Sequence, residues 1–183
     1  MRILGISGSL RRDSHNTRLL RGVATLLGDG AELELFGQLA AIPPFSEDDE
    51  HQTPPAVAAL KAAIAGADAV IVATPEYNAS IPGVLKNALD WASRPFATHS
   101  FRNKPVAVLA SSAGAFGGIW AQAELRKVLG AMGARVTEAE LAVGHAHEKV
   151  SEDGMIEDND LREGLRDALQ TLVTSVLDRV AAA

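Results

Sequence analysis

Residues 3–20, ILGISGSLRRDSHNTRLL, predict a buried strand, a Gly/Ser-rich turn and the first turns of a helix. The apolar residues Ile3, Leu4 and Ile6 are typical of a short strand that is covered on both faces. Beyond the turn, apolar residues recur at the spacing of one helical face, at Leu19, Leu20, Val23, Leu26 and Leu27. We therefore predict a strand–turn–helix unit here.

The turn of this unit, GSLRRDSHNT (8–17), is rich in hydrogen-bond donors. Free backbone N–H groups at a helix start, together with hydroxyls and an arginine, form an anion site. We predict that it holds one terminal phosphate. The alternative is an ordinary capped helix with Ser14 as its N-cap. Capping explains one serine but leaves the rest of the cluster unexplained. The cluster comprises Ser9, Arg11, Arg12, Ser14, Asn16 and Thr17.

Strand and helix patterns alternate along the remaining chain. Further strands are predicted at 31–36, 69–73, 105–110 and 134–141. A helix is predicted with Thr53 as its N-cap and Pro54 as its first residue, and others start at Pro82 and at Gly117-Gly118. The last helix carries apolar residues from Leu161 to Val180. The acidic run 47–50 is interpreted as a solvated loop. This alternation predicts an α/β fold with a three-layer, doubly wound, five-stranded parallel sheet in the order 2-1-3-4-5, in one domain spanning 1–183.

Composition excludes several classes of function. The 183 residues suit one domain, and 47% of them are hydrophobic, which indicates a folded chain. There are no cysteines, so disulfides, thiolate metal sites and cysteine-based catalysis are excluded. The net charge of −6 argues against a nucleic-acid partner. No apolar run approaches the ~20 residues that span a bilayer, and no signal-peptide pattern is seen. We expect a cytoplasmic protein with no membrane partner.

The segment that follows the third predicted strand, PEYNASIPG (75–83), suits a flat ring. Pro75 and Pro82 stiffen its two ends. Tyr77 offers a ring face, and Asn78 offers an amide, which a planar heteroaromatic with donors and acceptors on its edge would match. The alternative is a turn with one partly buried tyrosine. For Glu76, a role in fixing the loop is favoured over that of a catalytic base.

The segment SSAGAFGG (111–118) follows the fourth predicted strand and consists mostly of small residues. Such residues let the backbone approach a ligand closely. Ligands of doubly wound sheets bind beyond the carboxyl ends of the strands, where all three loops are expected to meet. A phosphate at one end of this cleft and a flat ring at the other are the outline of FMN. The chain contains neither G-x-G-x-x-G nor Gly-Lys-Ser/Thr, so a classically bound NAD or ATP is disfavoured.

Three segments resemble the NAD(P)H-dependent FMN reductase family, the flavodoxin-like group that includes chromate, quinone and azo reductases. They are GSLRRDSHNT (8–17), PEYNASIPGVLKNALDW (75–91) and SSAGAFGG (111–118). The resemblance implies a flavodoxin-like fold, non-covalent FMN, and a homodimer or homotetramer with the flavin near a subunit interface. It implies that the phosphate is held by Ser9, Arg11, Ser14, Asn16 and Thr17. It implies that the isoalloxazine is lined by Pro75, Glu76, Tyr77 and Asn78, with Ser112, Gly114 and Gly117 along the other edge.

The function expected from these features is that of an oxidoreductase. NADPH or NADH reduces bound FMN and leaves, and a small acceptor then takes the electrons in a ping-pong cycle, with the chemistry at flavin N5. Quinone, flavin, azo compound and chromate all stay open as acceptors. One alternative is a flavodoxin-type electron carrier that serves protein partners, and another is a flavin-free regulatory protein on the same fold.

His145 and His147 are interpreted as surface histidines rather than metal ligands. For Trp91 and Trp120, positions in the core, at an interface or in the cleft are all left open.

Overall fold

A computed structural model describes residues 1–182 and shows a parallel sheet between two layers of helices. The elements in chain order are β1 (Arg2–Ser7), α1 (His15–Leu26), β2 (Glu32–Leu35), α2 (Pro55–Gly66), β3 (Ala69–Thr74), α3 (Gly83–Ala92), β4 (Pro105–Ser111), α4 (Ile119–Ala131), β5 (Arg135–Val136), β6 (Leu141–Val143), α5 (Ala146–Lys149) and α6 (Asn159–Ala181). Two short 3₁₀ turns, Leu39–Ala41 and Glu47–Asp49, lie between β2 and α2.

The strand order is β2-β1-β3-β4-β5, and every pairing is parallel. This confirms the predicted α/β architecture and its order. The order reverses between β1 and β3, because the chain first builds outward to β2 and then crosses to the other side. That reversal opens a crevice at the carboxyl ends of β1 and β3.

The fifth predicted strand, 134–141, is interrupted, so the sheet has six strands rather than five. β5 pairs with the start of β4, while β6 pairs with its end. The four residues 137–140 lie opposite only two residues of β4, Ala107 and Val108, so they bulge away from the sheet. The Arg126 guanidinium stabilises the bulge by donating to the carbonyl oxygen of Thr137 at 2.7 Å.

Successive strand residues face opposite sides of the sheet, which produces two cores. Leu4, Val70 and Val106 pack with α2, α3 and α4 on one side. Ile3 and Ile71 pack with α1 and α6 on the other. β3 and β4 are buried along their whole lengths, as their unbroken apolar runs predict. Val180 was expected on the buried face of the last helix, but it is exposed because α6 extends beyond the sheet.

The long connection between β2 and α2 is fastened to the end of α3. Trp91 is fully buried, and its Nε1–H donates to the carbonyl oxygen of Pro43 at 2.9 Å. The Arg94 guanidinium donates to Glu50 Oε1 at 2.9 Å. The prediction that the acidic run is a solvated loop is therefore wrong for Glu50.

α2 begins at Pro55 with Pro54 as its N-cap, one residue later than expected. Of the helices described within residues 1–182, none is both long and apolar enough to cross a membrane.

Candidate functional site

The three loops that follow β1, β3 and β4 are joined to one another by hydrogen bonds. The Gly8 N–H donates to the Ala73 carbonyl at 2.8 Å, which ties the first loop to the end of β3. The Asn16 amide donates to the Ser111 carbonyl at 3.0 Å and accepts from the Ser111 N–H at 3.1 Å, which ties α1 to the end of β4. The structure therefore brings the three predicted segments together at the carboxyl edge of the sheet.

The third tie joins the loop after β3 to α4 through Glu76. Its Oε2 accepts the backbone N–H groups of Trp120 and Ala121, each at 3.0 Å. These are donors of the first turn of α4, where a negative charge also interacts favourably with the helix dipole. Glu76 thus fixes the loop, as the sequence favoured, and its carboxylate is turned away from a role as a base.

The first turn of α1 offers backbone donors to an anion. Ser14 is the N-cap, and its Oγ accepts the Thr17 N–H at 3.3 Å. The next two N–H groups, of His15 and Asn16, have no hydrogen-bond partner within residues 1–182. Two such donors at a helix N-terminus fit a phosphate group. The cap expected as an alternative is therefore present, and it leaves two backbone donors for the predicted phosphate cradle.

Two predicted phosphate ligands have buried side chains. Asn16 is 2% exposed, and its amide bonds to Ser111, so any contact with phosphate falls to its backbone N–H. Ser14 is 1% exposed, and its hydroxyl oxygen caps the helix, which leaves its O–H as a donor. Sequence counted the Asn16 side chain as a donor because it shows residue type but not direction.

The other predicted phosphate residues lie at the front of the cradle. Ser9 Oγ accepts the Arg11 N–H at 3.3 Å, which holds the turn open. The Arg11 side chain is exposed and forms no ion pair with any residue in the described range, 1–182. Thr17 Oγ1 is half-buried and hydrogen-bonds to Ser7 Oγ at 2.8 Å. A free guanidinium over hydroxyls and N–H groups suits a dianion.

A tight two-residue turn presents the predicted ring-binding residues. Tyr77 and Ser80 exchange two backbone hydrogen bonds, of 3.0 and 3.1 Å. Asn78 and Ala79 both have positive φ, of 54° and 60°, which is the pattern of a type I′ turn. The Tyr77 side chain is 54% exposed at this turn. Pro75 is buried at its base, close to Gly8.

The loop after β4 is held by its own small residues. Ser112 Oγ accepts the Gly114 N–H at 3.0 Å, and both residues lie at the surface of the cleft. Gly117 has φ +64° and packs against the backbone of 142–144, where an added Cβ would lie 2.5 Å from the Ala142 carbonyl carbon. Gly117 therefore shapes the loop from its buried side, and Ser112 and Gly114 are the residues left to line an edge.

Sequence reasoning missed a wall of the cradle on the β2 side. A groove of about 360 Å³ runs beside the first loop. Leu35, Phe36 and Leu39 supply its apolar wall, and Ser7 and Arg21 supply polar groups. The strand order could have predicted this wall, because the order 2-1-3 places the residues after β2 next to the loop after β1.

An exposed aromatic pair lies on the other side of the cleft. It is formed by Phe116 and Trp120, whose ring centroids are 5.2 Å apart.

Similarity to known proteins agrees with this geometry. The family model for NADPH-dependent FMN reductase matches residues 1–148. A 2-hydroxy-1,4-benzoquinone reductase of Burkholderia is 36% identical over 98% of both chains. An NAD(P)H-dependent FMN reductase of Pseudomonas aeruginosa is 40% identical over 94% of this chain and 93% of the other.

A solved structure shares the arrangement of the elements. The flavoenzyme NAD(P)H:(acceptor) oxidoreductase FerB of Paracoccus denitrificans superposes with a TM-score of 0.89. It is 32% identical and covers 97% of this chain and 98% of its own. The family model matches the segment that contains all three loops, and the relatives match almost end to end. This chain therefore belongs to the NADPH-dependent FMN reductase family.

Proposed function

We propose that this protein is a flavin-dependent oxidoreductase that passes electrons from NADPH or NADH through FMN to a quinone by a ping-pong cycle. The observation that carries the proposal is the set of hydrogen bonds joining the three loops into one cleft. That cleft has anion-binding N–H groups at one end and an exposed tyrosine turn at the other. The names of the relatives, which include a benzoquinone reductase and an FMN reductase, support this class of reaction.

The residues of the cradle would hold the phosphate end of FMN. The backbone N–H groups of His15 and Asn16 would bind the anion, together with the Ser9 and Thr17 hydroxyls and the Arg11 guanidinium. No carboxylate of 1–182 neutralises Arg11 in an ion pair, so its charge is available to a ligand. These groups bind and orient, and none of them reacts.

The ring end of the cleft would position the isoalloxazine. FMN, when bound, supplies the two-electron chemistry, so the protein needs no acid or base for hydride transfer itself. The Tyr77–Ser80 turn would set the height of the ring, and the Glu76 carboxylate keeps that turn at a fixed distance from α4. Ser112 and Gly114 would border the opposite edge.

A second electron acceptor would use the same open face once the nicotinamide has left. Because Tyr77 is 54% exposed, the face admits flat molecules without a closed pocket. We infer that quinones are accepted first, and that free flavins, azo compounds and chromate are further candidates. One face used in turn by donor and acceptor implies ping-pong kinetics.

We also infer a homodimer or homotetramer. Phe116, Ile119 and Trp120 form an exposed apolar patch beside the cleft, and a second copy of the chain would cover it. Light scattering of the wild type and of Trp120→Ser checks this inference, because loss of the patch should shift the mass toward the monomer. The cytoplasmic location and the single domain over 1–183 stay predictions.

An anaerobic titration tests the proposed function. Purified protein reconstituted with FMN should lose its yellow absorbance within one turnover on addition of NADPH or NADH, and a quinone should restore it. Initial rates at several quinone concentrations should give parallel double-reciprocal lines. Absence of bleaching with both nucleotides would refute the proposal. Slow bleaching that stops after one electron would instead favour a flavodoxin-type carrier.

A further inference from the structure

Three histidines whose side chains have no role in the proposed flavin site lie together beside the cradle. His15 is the first residue of α1, and His145 and His147 lie at the start of α5. The ring centroid of His147 is 6.5 Å from that of His15 and 6.4 Å from that of His145. We call these residues the histidine rim. Within residues 1–182, no group of three or more metal-ligating side chains is arranged to hold an ion.

The rim is fastened to the loop that borders the predicted ring edge. The His145 N–H donates to the Gly114 carbonyl at 3.1 Å, and the Ala146 N–H donates to the Ser112 carbonyl at 3.0 Å. Gly144 allows this approach, because an added Cβ would lie 2.1 Å from the Ala115 carbonyl oxygen. The histidines are therefore held at a fixed position between the phosphate cradle and the ring edge.

The surroundings of the rim are electropositive and leave donor atoms unpaired. Burial, followed by the charges of Arg11, Arg18 and His147, lowers the pKa of His15 below its ordinary value. Its Nδ1 is buried and has no partner within the described residues. One carboxylate pairs with the rim at its exposed side, where Glu148 Oε1 lies 3.4 Å from His147 Nε2. This concentration of cations stands out in a chain whose net charge is −6.

We propose that the histidine rim is a subsite for a phosphate group of the reduced nicotinamide nucleotide, an inference that rests on the proposed function. The nicotinamide has to stack at the ring, and the rim borders that ring through Ser112 and Gly114. Rings about 6.5 Å apart can both donate to oxygens of one phosphate, since each N–H···O bond spans ~2.8 Å. FMN's own phosphate is already matched by the N–H groups of α1.

Binding at the rim should be coupled to proton uptake. Burial, and then the charges of Arg11 and Arg18, disfavour the charged form of the free His15 imidazole and lower its pKa. A bound phosphate favours the charged form and raises the imidazole pKa. The nucleotide should therefore bind more tightly as the pH falls from about 8.5 to about 6. An ordinary surface histidine would show no such coupling to the nucleotide.

Kinetics of a double variant, His145→Asn with His147→Gln, test the inference in the FMN-loaded protein. Asparagine tolerates the left-handed backbone of residue 145, whose φ is 49°. At pH 6 the KM for the nucleotide should rise about tenfold, because two imidazole donors to the phosphate oxygens are lost. FMN affinity and the KM for an uncharged quinone should be unchanged. His51→Asn, an exposed histidine elsewhere, is the control.

Measurements with NADPH and with NADH identify which phosphate group of the nucleotide binds at the rim. A rise in KM for NADPH alone assigns the rim to the 2′-phosphate, and a rise for NADH as well assigns it to the pyrophosphate. Calorimetry with inorganic pyrophosphate on the FMN-loaded protein provides a readout that does not depend on turnover. The wild type should bind it with proton uptake, and the double variant should bind it at least about fivefold more weakly.

The inference is overturned if the double variant keeps both nucleotide KM values at pH 6 within twofold of the wild type while retaining FMN. It is equally overturned if pyrophosphate binds both proteins alike. If the double variant loses FMN, the nucleotide KM of the single variant His147→Gln is measured instead and is judged by the same criterion. Failure of the proposed function appears differently, as no reduction of the wild type by either nucleotide.

Discussion

Replacing Glu76, whose carboxylate bonds to the first turn of α4, should loosen the ring end of the cleft. In Glu76→Gln, one oxygen still accepts from the first turn of α4, but the negative charge at the helix N-terminus is lost. In Glu76→Ala, the N–H groups of Trp120 and Ala121 lose their acceptor. The two variants therefore separate the effect of charge from that of the hydrogen bonds.

The structure sets the size of each effect. A charge at a helix N-terminus contributes about 0.3–1 kcal/mol, so Glu76→Gln should lower the free energy of unfolding by about 1 kcal/mol or less. Loss of a helix-capping acceptor costs about 1–2 kcal/mol, and the partly buried Ala121 N–H cannot fully regain water, so Glu76→Ala should cost about 2 kcal/mol.

Flavin affinity should fall as well, because binding must then order the turn that Glu76 now holds. An ordering cost of about 1.4 kcal/mol corresponds to a tenfold rise in Kd. Urea unfolding of the flavin-free protein measures stability, and quenching of FMN fluorescence measures affinity. Asp90→Asn is the control, since it removes a carboxylate from an exposed pair with Lys86 and should cost less than about 0.5 kcal/mol. Wild-type stability and affinity in Glu76→Ala would refute the role given to this carboxylate.

Four further changes have distinct expected outcomes. Arg11→Ala should raise the Kd for FMN about tenfold or more by fluorescence titration with unchanged urea unfolding, and unchanged affinity would remove Arg11 from the cradle. Asn16→Ala should instead lower the free energy of unfolding by about 2–4 kcal/mol, because it strands the buried backbone groups of Ser111, and wild-type urea unfolding would contradict this. Ala79→Gly should raise Tm by a few degrees, because alanine at φ 60° is strained by about 1 kcal/mol and glycine is not. A lowered Tm would show that Ala79 is not strained. Burial and then the charges of Arg102 and Arg94 lower the pKa of His99, so the unfolded chain binds its proton first as the pH falls below about 6.5. Stability should therefore decline as the pH drops from there through the folded-state pKa, and His99→Leu should weaken that decline; an identical pH profile of urea unfolding in both proteins would contradict this.

The architecture was predictable because its signals are local and repeated. Buried runs such as 69–73 and 105–110 can only be strands covered on both faces, and the patterns between them indicate helices. The interrupted fifth strand was not predictable, because 134–141 is a weak edge pattern. At the break, Arg126 of another element donates to the carbonyl oxygen of Thr137. Sequence periodicity carries no information on such a contact.

The location of the site was predictable from topology, while the use of individual side chains was not. Glu76 was correctly assigned to fixing a loop, because no chemistry in the cleft required a base there. Asn16 was expected to offer a side-chain donor to phosphate, yet its amide bonds to the backbone of Ser111. The position of a polar residue on a helix start does not reveal whether it faces a ligand or a neighbouring strand. The roles of the remaining site residues stay predictions.

The hydrogen bonds between Asn16 and Ser111 and between Glu76 and α4 affect how the flavin-free protein behaves. Since the chain itself joins the three loops, the empty cleft is preformed, and little folding remains for the cofactor to induce. The apoprotein should therefore survive loss of its flavin, reload rapidly, and accept analogues altered in the ring as long as they keep the phosphate.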